Sequence, residues 1–228
     1  MKNDFRYEIK FVLNEREMSH ALTWLSIIGT KKFSDRSINS LYFDNLNQEL
    51  ARDNLAGISN RCKVRLRYYG DEILESSVQN LEVKLREGRL GSKIIYSLLT
   101  IKEALKYKAL HELSKDIFQE IYNSYFTHTS INNYLIPILF VKYKREYYKI
   151  YNEVRITIDR NIKFYNTPLN AKLDSLKPIF YNSFIMEIKF PKNLKFDVAN
   201  LIRSLHITPK RHSKYLTGLA KLGYASYI

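Results

Sequence analysis

The sequence predicts an α+β fold: about eight mostly antiparallel strands closed as a β-barrel, with helices around it. Three observations carry that expectation. A Glu-x-Lys triplet recurs inside apolar runs at Tyr7-Glu8-Ile9-Lys10-Phe11, Leu81-Glu82-Val83-Lys84-Leu85 and Met186-Glu187-Ile188-Lys189-Phe190. Strand side chains alternate faces, so each triplet puts Glu and Lys on one face and its apolar neighbours on the other. Residues 61–69 alternate in the same way, with Arg61, Lys63, Arg65 and Arg67 against Cys62, Val64, Leu66 and Tyr68. The composition agrees, since 18 Tyr and 12 Phe against 7 Gly favour strands over a loop-rich scaffold.

The elements follow in order. The first strand spans the Glu8 triplet. Asn14, with Glu17 three residues on, has the form of a capping box, and Met18, Ala21, Leu22, Leu25 and Ile28 recur at helical spacing until Gly29. Strand character returns over 37–44, and a short helix is expected at about 46–55 with Gly57 as its stop. After the strand at 61–69 come two more, 81–86 and 93–97, around a turn at Gly88 and Gly91. From about 100 to 126 the period becomes 3.6, through Ile101, Leu105, Ala109, Glu112 and Leu113. This predicts a helical insert at about 100–133 within a single domain, 1–228. Strands resume at 139–150 and 153–162, joined by a tight turn near Tyr151 and Asn152, and again at 184–190, closed by Pro191. Two helices complete the chain, at about 196–205 and 209–222, and Pro209 suits the first turn of the second.

With 37 Lys and Arg against 23 Asp and Glu, the formal charge of +14 points to a polyanionic partner: nucleic acid, polyphosphate, a nucleotide or an anionic membrane. The lone Cys62 excludes an intramolecular disulfide framework and a cysteine-rich zinc site. Residues 1–6 lack the apolar core of a signal peptide. The longest apolar run, 135–141, is broken by Pro137 and is far short of the roughly 20 residues that cross a bilayer. A soluble cytoplasmic protein is the expectation.

Strand parity also gathers Arg6, Lys63, Arg65, Arg67, Arg86, Lys93, Arg145, Arg155, Asp159 and the Glu and Lys residues of the triplets on inward-facing positions. A closed barrel of about eight strands holds side chains or one ligand. Unpaired cations inside it would cost on the order of several kcal/mol each, so the interior must be wet, acid-paired or filled by an anion. Lys142, Lys144 and Glu146 take the parity opposite to Arg145 and are expected to face solvent. Arginine forks grip phosphate oxygens, lysine supplies point charge, and carboxylates can hold a divalent metal that bridges phosphates. Sequence-specific nucleic acid is disfavoured. A duplex does not enter such an interior, and Val64, Leu66, Val83 and Ile188 are core positions rather than stacking platforms.

An ordered set of motifs covers nearly the whole chain: Arg6-Tyr7-Glu8-Ile9-Lys10-Phe11, Ser40-Leu41-Tyr42-Phe43-Asp44, Lys63-Val64-Arg65-Leu66-Arg67, Leu81-Glu82-Val83-Lys84, Tyr143-Lys144-Arg145, Val154-Arg155-Ile156-Thr157-Ile158-Asp159, Glu187-Ile188-Lys189 and Ser213-Lys214-Tyr215. The set resembles the triphosphate tunnel metalloenzymes. Within them it is most similar to the VTC domain, the polyphosphate polymerase module of the vacuolar transporter chaperone family. The resemblance implies that the barrel is a triphosphate tunnel. Lys10, Arg65, Arg67, Lys84, Arg145, Arg155 and Lys214 would carry catalysis, and Lys63, Lys93, Lys189, Arg211, Ser213 and Tyr215 would bind phosphate. Arg211, Ser213, Lys214 and Tyr215, at the start of the last helix, would close one tunnel mouth on the terminal phosphate. Arg211 stands where the family often has Lys, so charge is kept. Glu187 would hold Mn2+ or Mg2+, with Glu8 as helper.

The activity implied is transfer of the terminal phosphoryl group of ATP to a growing polyphosphate chain. A tunnel-type triphosphatase acting on inorganic or nucleoside triphosphates is the alternative, and a non-enzymatic polyphosphate-binding module the second. The partners expected are ATP and polyphosphate or triphosphate, with a membrane-protein partner for product export as a further option.

Overall fold

A computed structural model of the chain describes residues 6–72, 78–88, 90–98, 101–124, 135–150 and 153–224. The strands are β1 (Arg6–Leu13), β2 (Lys31–Asp44), β3 (Asn60–Tyr69), β4 (Gln79–Glu87), β5 (Leu90–Leu98), β6 (Ile136–Ile150), β7 (Val154–Tyr165), β8 (Pro178–Tyr181) and β9 (Phe184–Pro191). The helices are α1 (Glu15–Ile27), α2 (Glu49–Ala56), α3 (Lys102–Tyr107), α4 (Leu110–Ser124), α5 (Lys195–Arg203) and α6 (Lys214–Lys221). Hydrogen-bonded neighbours follow the order β1-β9-β7-β6-β2-β3-β4-β5, with β8 on β7. The α+β class and the antiparallel sheet are as expected. Among the described residues the strands number nine, and their order runs from β1 to β5 without strict closure. No helix among the described residues is long and apolar enough to cross a membrane. The expected turn at Tyr151 and Asn152, and the part of the helical insert after residue 124, lie outside the described residues.

The chain divides into two compact units. The first comprises Met1–Arg36, Tyr143–Ile162 and Phe180–Ser213. Its core joins Phe11 and Leu13 of β1, Ile156 and Ile158 of β7, and Met186 and Ile188 of β9 to Trp24 and Leu25 of α1. Burying each such side chain stabilises the fold by about 1.5–3 kcal/mol. Helix α1 starts on the predicted capping box: Asn14 Oδ1 accepts from the Glu17 amide, and the Asn14 amide donates to Glu17 Oε2, both at 2.9 Å. The Trp24 indole N–H donates to Ser204 Oγ at 2.9 Å, tying α1 to the end of α5.

The second unit comprises Ser37–Lys142, Lys163–Ile179 and Lys214–Ile228. Leu41, Phe43, Val64, Leu66, Leu81 and Val83 pack here against Leu113 and Ile117 of α4. Buried Asp44 accepts from the amides of Leu50 and Ala51 at the start of α2. The helical run expected from about 100 is two helices, because Lys108 is extended (φ −86°, ψ 153°). The amides of Leu110 and His111 turn to the carbonyls of Ala171 and Leu169, outside any helix.

The last helix begins at Lys214, not at Pro209. Arg211 and Ser213 therefore precede it, a correction with a plain cause. The Lys210 amide donates to the Lys10 carbonyl at 2.8 Å, which holds that segment against β1 instead of coiling it. Within α6, a Cβ on Gly218 would lie 2.7–2.9 Å from Leu139 and Phe164 side-chain carbons. Gly218→Ala is expected to destabilise the protein by about 1–3 kcal/mol through overpacking. Urea unfolding checks this, and an unchanged midpoint would mean that α6 shifts without strain.

Candidate functional site

The second unit carries a cationic strand face. In register, Lys63 of β3 stands opposite Lys84 of β4, which stands opposite Lys93 of β5. Arg65 faces Glu82, and Arg67 faces Asn80, on the same side of the ladder. Like charges directly opposite one another are destabilising, so this row needs a counter-charge. One comes from Glu82, which is only 3% exposed. Its carboxylate takes Arg65 through Nε at 2.7 Å and Nη2 at 2.5 Å, Lys93 Nζ at 2.5 Å, and Arg67 Nη1 at 3.7 Å. Burial pushes the Glu82 carboxyl up, but Arg65, Arg67 and Lys93 outweigh it and hold its pKa at about 2. Three cations from two strands thus meet at one carboxylate.

Behind the arginines, Tyr42 Oη accepts from Arg65 Nη1 at 3.2 Å, and its ring stacks on Tyr215 at 5.0 Å between centroids. Burial opposes ionisation of Tyr42, yet Arg65, Arg67 and Lys214 bring its pKa below the ordinary value. Tyr215 is buried and donates its hydroxyl to Asp44 Oδ2 at 2.8 Å. Burial, then Asp44, push its pKa well up. The hydroxyl is committed to Asp44, so a phosphate contact would require that bond to break. Lys63 Nζ lies 5.9 Å from the same ring centre, and Lys84 is exposed.

In the first unit, two of the triplets lie in register on neighbouring strands, with Glu8 opposite Lys189 and Lys10 opposite Glu187. Both lysines bridge both carboxylates: Lys10 Nζ is 2.7 Å from Glu8 and 3.7 Å from Glu187, and Lys189 Nζ is 3.3 Å from Glu8 and 2.6 Å from Glu187. Burial raises the Glu187 pKa and Glu8 adds to the rise, but Lys189 and Lys10 bring it below the ordinary value. Lys10 Nζ also donates to the His212 carbonyl at 3.2 Å, beside Arg211 and Ser213. Two carboxylates suit a hard divalent ion that takes its remaining oxygens from phosphate and water. They do not suit an all-protein cage, and among the described residues no group of three or more His, Cys, Asp or Glu could hold a metal ion.

A cavity of about 810 Å3 in this unit is lined by Arg145, Arg155, Thr157, Glu187 and Lys189, together with Arg6, Arg36 and Tyr147. Arg145 is fixed by Asp159 through Nε–Oδ1 at 2.5 Å and Nη2–Oδ2 at 2.8 Å. Burial works against its charge, and Tyr143 and Asp159 outweigh that, so its pKa sits well above the usual value. Glu146, expected in solvent, is buried at 2% exposure. It is enclosed by Tyr148 Oη, two residues on along β6, by Lys32 Nζ at 3.1 Å and by Arg160 Nη1 of β7 at 3.0 Å.

The structure thus gathers Lys63, Arg65, Arg67, Lys84 and Lys93 in one unit. In the other it gathers Glu8, Lys10, Glu187 and Lys189, with Arg145 and Arg155 at the cavity. The sequence reading missed Glu82 as the hub of three cations, although parity with Arg65 was a usable signal. It also missed Tyr147 and Arg36, and parity with Arg145 would have found the ring.

The fold is shared by solved structures of low identity. A candidate adenylyl cyclase of Hippeastrum, HpAC1, described as having a dominant triphosphatase activity, is 14% identical over 97% of each chain, with a TM-score of 0.59. A candidate adenylate cyclase of Vibrio parahaemolyticus is 13% identical over 96% of this chain and 99% of its own, at 0.54. A protein of Pyrococcus horikoshii OT3 is 13% identical over 95% and 98%, at 0.52. These likenesses show a shared fold. The family model described as the VTC domain matches residues 5–223, and the chain belongs to that family. Among curated protein sequences, none matches the chain.

Because the Glu82 carboxyl sits at about 2 in the fold against an ordinary 4.5, its ion pairs stabilise the protein above about pH 4.5. That contribution is lost as the pH falls toward 2. Glu82→Gln is expected to cost about 3 kcal/mol at pH 7, and the gap to wild type should narrow as the pH drops from 4.5 toward 2. Urea midpoints across that range check this, and a constant gap would show that another group titrates.

Proposed function

We propose that this protein is a metal-dependent polyphosphate polymerase that moves the terminal phosphoryl group of ATP onto a polyphosphate chain. The lysine row at 63, 84 and 93 with Arg65 and Arg67 beside it carries the reading: it supplies closely spaced cations suited to a run of phosphates rather than to a single anion. Membership of the VTC domain family supports it. Lys214, Arg211 and Ser213 complete the set proposed to meet phosphate.

Phosphoryl transfer asks for positioning and neutralisation of charge more than for a protein nucleophile. Arg145, braced by Asp159, and Arg155 hold phosphate oxygens in the cavity. Lys10 and Lys189 neutralise charge beside them. A terminal oxygen of the growing chain attacks the γ-phosphorus of ATP as the bond to the β-γ bridging oxygen breaks, and the electron pair leaves on ADP. Glu187 and Glu8 are the residues that would hold Mn2+ or Mg2+, which supplies charge neutralisation on the phosphates when bound. A cytoplasmic location, with a membrane partner to carry product out, belongs to the same proposal.

The triphosphatase reading uses the same groups with water as the attacking oxygen, and the activity described for the Hippeastrum protein favours keeping it as the rival. Incubation with ATP, Mn2+ and a short polyphosphate primer separates the readings. Long polymer with ADP is expected. ADP with orthophosphate alone would mean hydrolysis, and bound polyphosphate without turnover would mean a binding module. Glu187→Gln is expected to abolish Mn2+-dependent turnover, and wild-type rates would remove Glu187 from the mechanism. Arg65→Ala is expected to lower kcat/KM by about 10²–10³, measured with the same substrates.

A further inference from the structure

The cavity face of β6 alternates Arg145, Tyr147 and Lys149, and all three line the 810 Å3 cavity of the first unit. A phosphate chain has no use for the ring. The π face is the negative side of its quadrupole and offers phosphate oxygens nothing. The residue is not there to fill the core either. Its neighbour Tyr148 packs into the hydrophobic cluster and spends its hydroxyl on Glu146, whereas Tyr147 is half-buried beside the cations. The guanidinium carbon of Arg36, another lining residue, lies 5.9 Å from the Tyr147 ring centre. Phe33, 44% exposed, adds a further aromatic to a lining that also includes Tyr148. Arg36 lies over the Tyr147 ring, and a ring and a guanidinium plane are each the kind of π surface on which nucleobases stack.

We propose that Tyr147 and Arg36 form the base subsite for a nucleoside triphosphate whose phosphates are held by Arg145, Arg155 and Lys189. This rests on the proposed function and deepens it, because it separates the nucleotide donor from an inorganic phosphate chain within one cavity. Stacking is tolerant of base identity, so adenine and guanine nucleotides are accepted alike.

Binding of ATP and of inorganic triphosphate to the full chain, measured by calorimetry in EDTA so that nothing turns over, tests the assignment. Tyr147→Leu is expected to weaken ATP about tenfold and to leave inorganic triphosphate unchanged, which also shows that the variant is folded. Tyr147→Phe is expected to bind ATP as wild type does, and Arg36→Met to weaken ATP alone. Equal weakening of both ligands by Tyr147→Leu, unchanged ATP binding, or loss of ATP in Tyr147→Phe would overturn the subsite. Wild type that bound neither ligand would instead remove the phosphate site, and the base subsite with it.

Discussion

Lysine opposite lysine opposite lysine is a costly way to build a β-ladder, and positions 63, 84 and 93 do it across three strands. Glu82, sealed among Arg65, Arg67 and Lys93, supplies counter-charge to that face. The apolar face of the same strands pays the remaining cost, since Val64, Leu66, Leu81 and Val83 are buried in one cluster.

The two Glu-x-Lys carboxylates that are most buried are both held ionised by cations, but in different surroundings. Glu82 is outnumbered by cations and its acidity is driven to about 2, so it behaves as a permanent brace. Glu187 shares two lysines with Glu8, and the carboxylate–carboxylate repulsion partly offsets the lysines. Identical triplets in sequence are thus set apart by how many partners the neighbouring strand brings.

Much of this was legible in the sequence wherever period-2 parity alone decides the outcome. The triplets, the 61–69 alternation and the capping box of Asn14 and Glu17 all appear where they were read. What failed depended on distant partners. Glu146 was read as facing solvent, yet it shares the buried face of Tyr148 and Ile150, and Lys32 and Arg160 pair with it there. Pro209 looks like a helix start, but the next amide is taken by Lys10, about two hundred residues away. Strand β8 has four residues, three of them exposed, so no alternation marked it. Tyr147 was hidden by its own chemistry, an aromatic among cations that parity assigns to the wall while composition assigns it to the core.

The pairing of β1 with β9 has a consequence for biosynthesis. Residues 6–13 and 184–191 lie near opposite ends of the described chain, and translation proceeds at about 5–20 residues per second. The first strand therefore waits roughly 10–35 seconds for its partner, while the β3–β4–β5 ladder, made of near neighbours, can already close. Through that interval Phe11 and Leu13 have no β9 to cover them. Arg6, Glu8 and Lys10, alternating along the same strand, then act as gatekeepers that keep a nascent edge from pairing with the wrong chain.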